Sequence, residues 1–185
     1  MLSVILSTQE THREQDIEAF CLSYGSDFIW LDSYTAKFKI NQLQALQLKL
    51  LYGPLCDDLG IQMNMVIGFD HDLLMRCALA YTSEEYSSQI TELGDVLLLS
   101  NLNGNRRVLD ALDQVLSCVS KEVLETARMY LLTGGNCVLS ASLLYIHRNT
   151  FTYRLTKFID QTRIDIRESS LAYCLRVYFT LQQSR

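Results

Sequence analysis

The apolar positions along the first hundred residues switch between two periods. Ser3 to Leu6 is a short apolar run of strand type, and Asp16 to Leu22 puts Ile17, Phe20 and Cys21 on one side of a helix. Phe28 to Leu31 and Tyr34 to Ile40 are rich in β-branched and aromatic residues and flank Asp32-Ser33, a natural turn pair, so they predict a hairpin. Asn41 offers a helix N-cap. Behind it Leu43, Leu46, Leu50 and Leu51 keep a 3.6-residue period up to Gly53-Pro54, with a continuation open as far as Gly60. Ile61 to Phe69 reads as a strand, Asp70 or Asp72 starts a helix through Leu74, Cys77 and Ala80, and Asp95 to Leu99 reads as a final strand. The resulting order, β-α-β-β-α-β-α-β, is the split βαβ (ferredoxin-like) plan of an α+β domain, with its helices expected on one face of an antiparallel sheet.

From Asn105 onward the strand signals stop. Val108, Leu112, Val115, Leu116 and Val119 mark one amphipathic helix, and Val123, Leu124, Ala127, Tyr130 and Leu131 mark another, closed by Gly134-Gly135. A short helix after Asn136, a break near Tyr145 to His147 and a longer helix then follow with helix-turn-helix spacing. Ala141 supplies the small side chain that lets the two helices approach, and Leu144 and Ile146 are expected to fill the angle between them. Phe151, Leu155, Phe158 and Ile159 form the expected buried stripe of the second helix. A last apolar helix, Leu171 to Leu181, serves either as core or as a contact between copies. The domains expected are therefore an α+β domain at 1–103 and an all-α domain at 104–185.

The face opposite that buried stripe carries the candidate chemistry. Asn149, Thr152, Tyr153 and Thr156 point away from it, with Arg148, Thr150 and Lys157 at its margins. A helix with such a face fits the DNA major groove, where Arg and Asn match base-edge donors and acceptors in pairs. Arg148 and Asn149 stand at the helix start, where base edges are reached. Thr150, Thr152, Tyr153 and Lys157 are placed to meet phosphates, and His147 either caps the helix or joins them. The competing reading of the same spacing is a surface helix in an ordinary bundle.

Charge sharpens the division. The chain has 185 residues and a net charge of −5, which by itself argues against a polyanion partner. Residues 1 to 120 hold 7 Lys/Arg against 16 Asp/Glu, whereas 121 to 185 hold 9 against 5, so only the C-terminal third is cationic. Six cysteines form no C-x-x-C pair, and His12, His71 and His147 lie far apart, so no metal or redox cofactor is spelled out. Asp57-Asp58 and Glu84-Glu85 are adjacent in sequence and point to different faces, as solvated surface carboxylates do. No nucleophile motif or phosphate loop is legible, and the expectation is a non-enzyme without cofactors. Tyr24, Trp30, Tyr34 and Phe38 either line an aromatic effector pocket or pack against the helices of the sheet. No apolar run approaches the roughly 20 residues of a bilayer span. Met1 to Thr8 is too short for a secretory signal, so a cytoplasmic protein is expected.

Two segments also resemble known families. The β-α-hairpin-α pattern, followed by Gln62-Met63-Asn64-Met65-Val66-Ile67-Gly68-Phe69 and a helix ending in Ala80-Tyr81, looks like the degenerate GGDEF-like domain of PucR- and CdaR-type bacterial regulators. Where diguanylate cyclases carry a Gly-Gly-acidic-acidic-Phe turn, this hairpin reads Leu31-Asp32-Ser33-Tyr34, and the resemblance implies no cyclase activity. The string Ile146-His147-Arg148-Asn149-Thr150-Phe151-Thr152-Tyr153-Arg154-Leu155, with Leu131-Leu132-Thr133-Gly134-Gly135-Asn136 before it and Ile159-Asp160-Gln161-Thr162 after it, is similar to the C-terminal signature of PucR family transcription regulators. That resemblance implies a Fis-like helix-turn-helix with a recognition helix from Arg148 to about Gln161. Family members carry more basic residues near Val138-Leu139-Ser140 and Thr156, so fewer phosphate contacts are expected here, and a homodimer on double-stranded DNA would compensate. The chain reads as a shortened or partial regulator, with a small-molecule effector as a further candidate partner. The alternative function is an effector-sensing or protein-interaction module without DNA binding.

Overall fold

The computed structural model describes residues 1–9 and 12–183. It divides into two compact units, Met1–Val108 and Leu109–Arg185.

The first unit is built on β1 (Leu2–Thr8), α1 (Glu14–Tyr24), β2 (Ser26–Trp30), β3 (Thr35–Ile40), α2 (Gln42–Leu59), β4 (Met63–Gly68), α3 (Asp72–Glu85), β5 (Gln89–Glu92) and α4 (Leu93–Leu102). Its sheet has the order β2-β3-β1-β4-β5, with β1 antiparallel to both neighbours and β5 parallel to β4. The architecture is α+β. Helices cover both sides of the sheet, not one. Alternation sends Leu2, Val4 and Leu6 to the side where Phe38 and Ile40 meet the end of α1 at Gly25, and Ser3, Ile5 and Ser7 to the side of α3. Ser7 Oγ lies 2.9 Å from Ser83 Oγ of α3, and a Cβ on Gly68 would stand 2.7 Å from Met75 Sδ. Because both faces are covered, Leu2 to Leu6 and all of β4 are buried without the hydrophobic alternation that a one-faced sheet shows.

The last strand differs from the sequence expectation. Asp95 to Leu99 lies inside α4, and the strand is the polar Gln89–Glu92 just before it. A run of four apolar residues, Val96 to Leu99, is compatible with either a central strand or a buried helix, and Leu93, Val96 and Leu97 are buried on a helix here.

The cap of α2 is as the sequence indicates. Asn41 Oδ1 accepts from Gln44 N–H at 2.9 Å, and Gln44 Oε1 accepts from Asn41 N–H at 2.7 Å, a reciprocal capping box. The helix runs through Pro54 to a left-handed Gly60, since proline removes only the bond to the carbonyl of Leu50 on the solvent side. Its buried face is the reverse of the predicted one. Ala45, Leu48 and Tyr52 are buried, whereas Leu43, Leu46, Leu50 and Leu51 are exposed.

The second unit holds α5 (Arg107–Leu116), which begins at the boundary, then α6 (Lys121–Leu132), α7 (Cys137–Leu143), α8 (Arg148–Thr162) and α9 (Ser169–Gln183). Leu112, Val115, Val123, Ala127, Leu131, Phe151, Phe158, Leu171 and Leu175 are buried in it. Counted at this boundary, the unit has 9 basic residues against 7 acidic, because Asp110 and Asp113 belong to it.

Candidate functional site

The segment from α6 to α8 owes its shape to local hydrogen bonding. Gly134 (φ 65°) and the bonds Gly134 N–H to Leu131 O and Gly135 N–H to Tyr130 O stop α6. Asn136 restarts the chain by accepting from Leu139 N–H at 3.0 Å. Ser140, fully buried, ties α7 back to the end of α6: its hydroxyl lies 2.6 Å from Thr133 Oγ1 and donates to Asn136 O at 2.7 Å. With Ala141 buried beside it, α8 packs against both α6 and α7. The sequence reading identified Ala141 as the small residue at this crossing and overlooked Ser140. Leu144 and Ile146 are only half-buried.

The turn into α8 is a Schellman motif, with Tyr145 N–H bonded to Ser142 O at 3.1 Å and Ile146 N–H to Ala141 O at 3.0 Å. Its left-handed residue is Tyr145, at φ 54° and 96% exposed. His147 then caps α8, its Nδ1 accepting from Asn149 N–H at 3.2 Å, which leaves Nε2 to carry the ring proton outward.

Along α8, Phe151, Leu155 and Phe158 are buried as expected, and Ile159 is half-buried. His147, Arg148, Asn149, Thr150, Thr152, Tyr153 and Thr156 are exposed, and Lys157 is half-exposed. The helical period puts Asn149, Tyr153 and Thr156 on one outward line, with Thr152 and Lys157 flanking it and Arg148 and Thr150 at the helix start. Thr152 Oγ1 donates to Arg148 O at 3.0 Å, so its hydroxyl has accepting capacity left. Asp160 lies on the same outward line one turn beyond Thr156, so this line carries a negative charge towards the C-terminal end of the helix. Sequence reasoning missed Tyr145. Its signal was available only as a non-glycine residue standing where a helix break needs a left-handed one. Val138, Leu139 and Leu143 of α7 are also exposed.

Of the hairpin aromatics, Phe38 is buried and Trp30 packs edge-on against Phe28, whereas Tyr34 is exposed and Tyr24 lies tilted against Phe20 within α1. They do not converge on one recess. Asp32 accepts from Tyr34 N–H at 2.9 Å and faces Arg76 at 3.4 Å. Its carboxyl sits below the usual range because these bonds outweigh its partial burial, which acts in the opposite direction. No group of three metal-ligating side chains occurs among the described residues, and no described helix is long and apolar enough to cross a membrane.

A short helix, a tight turn and a longer helix with a solvated polar face together define a helix-turn-helix domain. Residues 123–181, within the second unit, match the PucR C-terminal helix-turn-helix domain. A stretch of 63 residues is 35% identical to the uncharacterized protein YxkF of Bacillus subtilis (strain 168), covering 34% of this chain and about a fifth (20%) of that relative. The crystal structure of a regulator of polyketide synthase expression from Bifidobacterium adolescentis superposes with a TM-score of 0.49 at 14% identity, over 100% of this chain and 81% of that one.

Proposed function

We propose that the protein is a DNA-binding transcription regulator of the PucR/CdaR type that reads operator DNA in the major groove with α8, the helix starting at Arg148. The observation that supports this most is the solvated polar face of α8 within a domain that matches the PucR helix-turn-helix. Arg148 and Asn149 approach base edges. Thr150, Thr152, Tyr153, Lys157 and the Nε2–H of His147 contact phosphates, joined by the hydroxyl of Tyr145. The acidic α+β unit is a degenerate GGDEF-like module without catalytic activity that positions the reader and is where a small-molecule effector would act. Two copies bind together, placing two recognition helices on half-sites about 34 to 36 Å apart. The protein acts in the cytoplasm, where the chromosome is.

The test is selection of genomic fragments by the purified protein, followed by titration of a selected duplex at several salt concentrations. Binding should weaken steeply with salt, Arg148→Ala should remove sequence preference, and Lys157→Ala should weaken all duplexes alike and reduce the salt slope by about one. Absence of any salt-dependent complex would favour the alternative, an effector-sensing or protein-interaction module whose helical unit no longer binds DNA, a reading that the net charge of −5 supports.

A further inference from the structure

The leucines of α2 face away from their own core. Leu43, Leu46 and Leu50 are 64%, 53% and 78% exposed, and Leu51 beside them is 44% exposed. They recur at i, i+3 and i+7, the spacing of the seam between two packed helices. The four side chains leave on the order of 400 Å² of apolar surface open. With the exposed Gln47, Gly53 and Pro54, two such faces brought together exceed roughly 1,000 Å², the lower limit of a specific interface.

Charge narrows what can cover this surface. The unit as a whole has 14 acidic residues against 7 basic ones. Between Asn41 and Cys56 the only charged residue is Lys49, which is paired with Glu92, and the polar residues around the leucines are Gln42, Gln44 and Gln47. The exposed Asp57 and Asp58 stand at the far end of the helix, about two turns beyond Leu50, so the leucine stripe itself offers a charged partner nothing to recognise. Two acidic units would repel each other almost anywhere else on their surfaces, but not across this face.

We infer that the exposed leucine face of α2 is closed by the same face of a second copy of this chain, forming a two-fold dimer. An antiparallel approach puts Leu46 near the axis and sets Leu43 of each copy toward Leu50 of the other, a self-complementary arrangement. This rests on the two-copy reading proposed above and identifies its surface, but the observations behind it belong to the first unit alone.

Sedimentation velocity of the full chain without DNA, at roughly 1 to 100 µM, tests it against the double variant L46Q/L50Q, which keeps helix propensity and adds no charge. The wild type should sediment as a dimer and the variant as a monomer, with the dimer dissociation constant raised at least about a hundredfold and helix content unchanged. A wild type that is monomeric throughout, or a variant that dimerises like the wild type, overturns the inference. So does a variant that loses its fold, because these leucines would then be holding the protomer together. A DNA arm separates the two proposals. The variant should match the wild type on a duplex with one half-site and bind more weakly on a duplex with two. If neither protein binds DNA while the dimer and its loss in the variant persist, the DNA reading is rejected and this one stands.

Discussion

Replacing Tyr145 with glycine should make the protein more stable and a poorer DNA binder. Among the described residues, four helices end in the same paired hydrogen bonds around a left-handed residue, and at three of them that residue is glycine: Gly60, Gly104 and Gly134, at φ 60°, 75° and 65°. The fourth is Tyr145 at φ 54°. A left-handed conformation costs an L-residue about 1 to 2 kcal/mol, and glycine recovers it while losing roughly 0.5 to 1 kcal/mol in unfolded-state entropy. Since Tyr145 is 96% exposed, no packing is lost. The net gain is about 0.5 to 1 kcal/mol, read as a rise in melting temperature of about 1 to 4 °C. On DNA, loss of one hydroxyl contact to phosphate should weaken binding about fivefold. Tyr145→Ala is the control. It keeps the strained backbone, should gain no stability, and should lose the same affinity. Thermal unfolding and a DNA titration of the three proteins decide the matter. A glycine variant that melts lower refutes the strain argument, and one that binds DNA like the wild type removes Tyr145 from the interface.

Two further outcomes follow from the packing and the ion pairs. Leu48→Ala should cost about 2 to 5 kcal/mol in a urea titration at submicromolar concentration, where copies are separated, and Leu50→Ala should stay within about 0.5 kcal/mol of wild type, because Leu48 is fully buried and Leu50 is 78% exposed; equal costs would contradict the observed face of α2. Asp165 accepts a bidentate pair from Arg167, Nε to Oδ1 at 2.7 Å and Nη2 to Oδ2 at 2.6 Å, and this partner holds its carboxyl below the ordinary range. The folded state therefore takes up a proton less readily than the unfolded chain, so the contribution is present above the unfolded value near 4 and is lost as pH falls through the folded one. Asp165→Asn should flatten the acid limb of stability below about pH 4, and an unchanged limb would show the pair to be idle.

The reversed face of α2 shows where a sequence stops being informative. Periodicity gave the helix and Asn41 its cap, since both are local: a capping box needs only Asn41 and Gln44, and a 3.6-residue period needs only the segment itself. Which stripe faces inward depends on what covers it, and α2 has two. One is Leu43, Leu46 and Leu50; the other is Ala45, Leu48 and Tyr52. By hydrophobicity alone the first is the stronger candidate. The second wins because the site beside α1 takes one small residue, one leucine and a tyrosine whose hydroxyl reaches the carbonyl of Met63 and the hydroxyl of Ser88. The same limit explains α4, whose apolar run is indistinguishable from a strand until the neighbouring polar Gln89–Glu92 is seen to pair with β4.

The helix-turn-helix was more legible because its constraints are close in sequence. Gly134, Asn136, Ala141 and His147 each act within a few residues, and the buried stripe of α8 is aromatic enough to have one solution. What escaped were residues that break a local rule, among them Ser140, a hydroxyl placed in a core, and Tyr145, which like Arg163 at the end of α8 puts a large side chain in a glycine conformation. The first is explained by its hydrogen bonds to Thr133 and Asn136, so it belongs to folding. Tyr145, 96% exposed, has no compensating side-chain contact among the described residues, and a residue kept at a cost without an internal partner is the better pointer to an external one.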